Sequence, residues 1–143
     1  MKISNKIKNW VYLVLSKLML GYSTRQMIKL SQKDITFKKL IGDFHAIIKI
    51  SSEDELLNKF IQFKGNGMIE YFNGSESLDF DAAIIFRTIE DMFIFLKNYG
   101  DIYEGMLENR FELKGNLNIL LKYQFLTNYY NPKRKNIQLI SEN

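Results

Sequence analysis

The period of apolar positions changes twice along this chain. In KISNKIKNWVYLVLSKLMLGY, Ile7, Val11, Val14, Leu15, Leu18 and Tyr22 recur at helical spacing and share one broad face, with Trp10, Leu13 and Lys17 towards its flank. Gly21 offers that helix a stop. Two shorter helical patterns follow in TRQMIKL and DITFKKLI, the second with Asp34 placed to cap its start. From Gly42-Asp43 the period falls to two. In FHAIIKI, Phe44, Ala46, Ile48 and Ile50 lie on one face of a strand, His45, Ile47 and Lys49 on the other. NKFIQFK and MIEYF flank the tip Gly65-Asn66-Gly67 and read as a hairpin. After the loop NGSESLDFD, AAIIFR at 82–87 is a short apolar strand.

Helical spacing then returns. Thr88 stands three residues before Asp91 as a capping box, and Ile89, Met92, Phe93, Leu96 and Tyr99 follow along one side, with Asn98 and Gly100 as a stop. DIYEGMLEN predicts one or two short turns with Met106 and Leu107 inward. In RFELK, Phe111 and Leu113 point one way and Arg110, Glu112 and Lys114 the other, a half-buried strand. Gly115 permits a sharp corner and Asn116 can cap the closing helix. That helix, NLNILLKYQFLTNYY, is apolar on two flanks: Leu117, Leu120, Leu121 and Gln124 on one, Ile119, Tyr123, Leu126 and Tyr130 on the other, with Pro132 ending it. Strands cluster in the middle and helices at both ends, so the order predicts an α+β fold, one sheet carrying helices.

Composition narrows the function classes. The 143 residues suffice for one domain with a real core, and 46% hydrophobic with 25% charged is ordinary for a globular chain. The chain has no cysteine, which excludes disulfides and thiolate chemistry and fits a reducing cytoplasm. Charge is uneven: +8 over residues 1–50, −7 over 51–114 and +3 over 115–143, summing to the net +4. A nucleic-acid binder needs a continuous basic face, which this alternation does not supply. A basic N-terminal segment alone serves an anionic membrane surface. The apolar run from Trp10 to Leu20 is interrupted by Lys17, falls short of the roughly 20 residues that span a bilayer, and lacks a small-residue cleavage site after it. The expectation is a cytoplasmic protein that is peripheral to the membrane.

Candidates for catalysis are few. His45 is the single histidine, sits in a strand, and without cysteine cannot build a typical zinc site. Glu90/Asp91 fit a helix N-terminus, Asp79/Asp81 lie in a loop, and no nucleophile elbow or phosphate-binding glycine motif is present. KRK at 133–135 reads as a solvated basic tail. The residues supply apolar surface, not reactive groups, so the chain is expected to be no enzyme and to need no cofactor and no metal.

One stretch resembles a known family. FDAAIIFRTIEDMFIFLKNYGDIYEGMLENRFELKGNLNILLKYQFL is similar to the C-terminal half of the sterol carrier protein-2 domain: a D-x-x-I-x-F strand, a helix with apolar pairs, a short helix, then G-x-L-x-[IV]-x-G-[ND] and a closing helix. Here the corner reads N-R-F-E-L-K-G-N. Asn109 stands where the family often has Gly, Phe111 and Leu113 take the apolar positions, and Gly115-Asn116 matches the turn. The hairpin IQFKGNGMIEYF fits the family's central strands. The resemblance covers roughly residues 40–130 and leaves residues 1–41 as an N-terminal helical extension, 42–131 as the domain and 132–143 as a tail.

The resemblance implies a five-stranded, largely antiparallel sheet with helices packed on one face, enclosing an apolar tunnel that holds a fatty acid, acyl chain, isoprenoid or sterol-like lipid without chemistry. Physics agrees, since each buried methylene contributes about 0.8 kcal/mol without any reactive group. Lining candidates are Phe93, Leu96, Met106, Leu120, Tyr123 and Leu126, with Phe86 and Ile85 from a strand; each has the alternative of filling the core. Expected partners are an apolar lipid, an anionic membrane surface met by the N-terminal helix, and a second copy in a homodimer, with no nucleic acid. The competing reading is a cavity-poor interaction or regulatory module that dimerises or binds a partner through that helix.

Overall fold

The structure, a computed structural model, describes residues 3–74, 78–98 and 100–129. Tyr99, Tyr130, Pro132, the middle of the loop after the hairpin and the whole tail lie outside the described residues. Helix α1 (Ile3–Lys33) leads through the single residue Asp34 into α2 (Ile35–Gly42). Strands β1 (His45–Ser52), β2 (Asn58–Lys64), β3 (Ile69–Asn73) and β4 (Ala82–Phe86) follow, then α3 (Ile89–Lys97), α4 (Ile102–Leu107), β5 (Phe111–Gly115) and α5 (Leu117–Thr127). The strands form one sheet in the order β3-β2-β1-β4-β5, antiparallel at every pairing except β1/β4. This is the expected α+β architecture with a five-stranded, largely antiparallel sheet.

Local chemistry explains most boundaries. Asp34, Thr88 and Asn116 cap α2, α3 and α5, each in extended backbone with its side chain accepting from an early helical N–H. The corner between β5 and α5 requires its glycine: Gly115 has φ +79°, and a Cβ there would lie 2.2 Å from the Asp81 carbonyl oxygen. Asn109 is also left-handed, at φ 56°. Asparagine tolerates that region better than other side chains, so the residue standing in a glycine's place keeps the turn. Its carbonyl and side-chain oxygens both accept from Arg87.

Register decides which strand positions face the helices. Ala46, Ile48 and Ile50 pair with or neighbour Ile61, Phe63, Ala82 and Ile84, and all are buried. Phe86 meets the rings of Phe95 and Phe111 at 5.1 and 5.5 Å. On the opposite face Phe60 stacks on Phe72, and Lys49 sits over Phe80 from the β3–β4 connection.

Two expectations need correction. Gly21 does not end the first helix, which runs unbroken to Lys33; a mid-helix glycine costs only about 1 kcal/mol, and Leu20 and Thr24, one turn apart, anchor both sides of it in the core. The closing helix ends at Thr127 with Asn128 as its C-cap, before Pro132. The broad apolar face of α1, whose direction the sequence left open, is turned outward. The buried side of the helix carries Ser16, Leu20, Thr24, Met27 and Ser31, while Ile7, Trp10, Val11, Leu15, Leu18 and Tyr22 are exposed. Leu20 and Met27 share one core with Phe37 and Ile41 of α2 and the sheet.

Candidate functional site

Helix α1 lies along α3, with the Tyr12 and Phe93 rings 4.9 Å apart. On the inward side of α1, Ser16, Thr24 and Ser31 are buried in the packing and Ser23 is half-buried. Between α1, α3, α5 and the sheet a cavity of about 250 Å³ remains. Ile50 and Ile84 make its floor from adjacent strands. Met19, Leu20, Tyr22 and Ser23 wall it from α1, Phe95 and Leu96 from α3, and Gly100 and Ile102 from the turn into α4. Tyr123, Gln124, Thr127 and Asn128 come from α5. None of these described lining residues is charged. A lining of this make-up offers an entering ion no counter-charge among the described residues.

Besides the Tyr22 and Ser23 hydroxyls on α1, the cavity's polar side chains come from α5 and its C-cap. Thr127 Oγ1 donates to the Gln124 carbonyl at 2.9 Å and Asn128 Nδ2 donates to the same oxygen at 3.0 Å. The Gln124 side-chain oxygen accepts from the Ile102 backbone N–H at 2.8 Å, tying α5 to the start of α4.

Of the residues singled out by sequence, Leu96 and Tyr123 line this cavity. Phe86, Leu120 and Leu126 are fully buried in the core. Phe93 packs on α1 through Tyr12. Ile85 is on the other face of the sheet: it registers with Ser51 and Glu112, and strand alternation turns it away when Ile84 and Phe86 turn in. Met106 and Leu107 point outward, 48% and 89% exposed. The six-residue α4 has room for two inward positions, taken by Ile102 and Gly105, and the Phe111 ring occupies the space beside Gly105, where a Cβ would meet it at 2.3 Å.

Sequence reasoning named no lining residue on α1, and it missed the strand residues Ile50 and Ile84, and Ile102. A small-residue row on α1 was visible but points to no ligand by itself. Gln124 carried a better signal, as a polar residue within the apolar run of the closing helix.

Two of the titratable candidates, Asp81 and Asp91, have structural partners. Asp81 Oδ2 accepts from Ile47 N at 2.7 Å, and Asp91 accepts from Thr88 Oγ1 and from Arg110. The His45 ring is exposed and lies against the hairpin glycine Gly65. Among the described residues no group of three or more His, Asp or Glu is gathered as metal ligands, and no helix is long and apolar enough to cross a membrane.

No family model matches the chain, and no curated protein does. Solved structures share its fold. A UbiJ-SCP2 ubiquinone synthesis protein superposes with a TM-score of 0.59 at 9% identity, over 78% of this chain and 94% of that one. Sterol carrier protein-2 like-3 from Aedes aegypti does so with a TM-score of 0.50 at 11% identity, over 76% and 92%. The fold is therefore that of the sterol carrier protein-2 domain.

Proposed function

We propose that this protein holds an apolar lipid in the cavity under α1 and carries or presents it without covalent chemistry. The observation that carries this reading is an uncharged, largely apolar hollow of about 250 Å³ between the sheet and its helices. It occurs in a fold shared with a sterol carrier protein and a ubiquinone synthesis protein. At about 30 Å³ for each water- or methylene-sized group, the hollow accommodates roughly eight of them. That suits an acyl or isoprenoid segment, or the end of a longer chain whose remainder leaves by the mouth. At about 0.8 kcal/mol per methylene, such a segment contributes several kcal/mol of binding.

The outward face of α1 supports a docking role for the same protein. Ile7, Trp10, Val11, Leu18 and Tyr22 form an exposed apolar stripe, and Tyr22 also belongs to the cavity wall. Lys6, Lys8 and Lys17 lie on the same helix, with Arg25 and Lys29 continuing it beyond the stripe. Apolar side chains beside cations are complementary to an anionic lipid surface, where each Lys or Arg contributes about 1 kcal/mol. The proposed route for the ligand runs from that surface past Tyr22 into the hollow. A second copy seated on the same stripe is the competing occupant.

Native mass spectrometry of the purified chain tests the carrier reading. The expected result is a bound lipid lost on delipidation, and a melting temperature that rises when octanoate-length or short isoprenoid ligands are added back. A delipidated protein whose melting temperature ignores every such ligand overturns it.

A further inference from the structure

We infer that the cavity reads an uncharged polar head through a carbonyl-type oxygen, and that the side-chain amide nitrogen of Gln124 is the group that reads it. The inference rests on the carrier reading and adds the class of head group. A backbone N–H can only donate, so the atom of Gln124 that faces Ile102 N at 2.8 Å is the amide oxygen. That assignment leaves Nε2, with two N–H groups, as the side-chain donor of a residue that lines the cavity, with no acceptor from the described protein. The neighbouring donors are already spent: Thr127 Oγ1 and Asn128 Nδ2 both donate to the Gln124 carbonyl. Ser23, across from α5 on α1, adds one hydroxyl able to follow either role.

The site therefore offers a directed donor and no charge. A carboxylate entering it would lose its hydration with no Lys, Arg or His among the described lining residues to compensate. An ammonium would find no carboxylate. A ketone, ester or amide oxygen loses far less water and gains the Gln124 N–H, so the head group expected here is neutral and acceptor-bearing.

The test compares octane, 2-octanone and octanoate on the full-length chain at pH 8, by displacement of the neutral fluorescent probe N-phenyl-1-naphthylamine. The expected order is 2-octanone tightest, with octanoate weaker by about ten-fold or more. Gln124→Glu keeps an oxygen for Ile102 N–H and removes the donor. It is expected to reduce the preference for 2-octanone over octane by about five- to ten-fold. Octanoate binding as tightly as the ketone, or an unchanged ketone-to-octane ratio in the variant, overturns the head-group assignment and leaves the carrier reading standing. Failure of all three compounds to displace the probe overturns both.

Discussion

Helices α1 and α3 pack side by side and obey opposite rules. In α3 the apolar positions face the core, with Ile89, Met92 and Phe95 buried and Glu90 and Lys97 exposed. In α1 the strongest apolar row faces outward, and the inward row mixes Leu20 and Met27 with Ser16, Thr24 and Ser31. The hydroxyls of Thr24 and Ser31 turn back onto carbonyls of their own helix, at 2.8 and 2.6 Å, which satisfies them without a partner from the core. Ser16 Oγ is left with none. An apolar row goes inward when it gains most by meeting the rest of the chain. In α1 the larger apolar side chains of the outward row stay exposed and remain available to an apolar partner outside.

The contrast can be broken at its core end first. Phe86 is fully buried below α3, in contact with two other aromatic rings. Phe86→Ala is expected to cost about 3–5 kcal/mol in a urea melt, the range for an aromatic truncated in a packed core. A loss below 1 kcal/mol would mean that this region is as loosely filled as the space under α1.

The cap of α3 comes next. Thr88 accepts from Asp91 N at 3.0 Å while its own hydroxyl donates to the Asp91 carboxylate. Thr88→Ala is expected to remove about 1 kcal/mol by the same melt, since one early N–H loses its acceptor.

The smallest stability effect falls on the largest exposed apolar row. Leu18 is 58% exposed. Leu18→Asp is expected to change unfolding free energy by about 0.5 kcal/mol or less. The same variant is expected to lose co-sedimentation with anionic phosphatidylserine vesicles. If the wild-type chain ignores vesicles yet sediments as a dimer that Leu18→Asp dissociates, the stripe belongs to a second copy.

These opposite behaviours also mark how far the sequence could be read. The caps at Asp34, Thr88 and Asn116, the hairpin around Gly65-Asn66-Gly67 and the Gly115 corner are all legible. The corner shows in its glycine although the close approach there is to the distant Asp81, while the caps and the hairpin are interactions completed within a few residues. Strand faces were legible for the same reason: once Ile48 points in, alternation carries Ala46 and Ile50 with it. The cavity lining was much less so. Leu96 and Tyr123 could be named, whereas Ile85 and Met106 could not be placed without the register of β4 and the ring of Phe111.

By itself, then, the sequence determined most of the elements, their caps and turns, and which side of the alternating strands is apolar. Tertiary structure alone decided which way α1 faces, where packing stops short and leaves a hollow, and which atom of Gln124 is committed to Ile102. Local hydrogen bonds and side-chain periodicity are encoded over a few neighbouring residues. A void and the orientation of a helix above it are set by how segments distant in the chain fit together, and no short stretch carries that information.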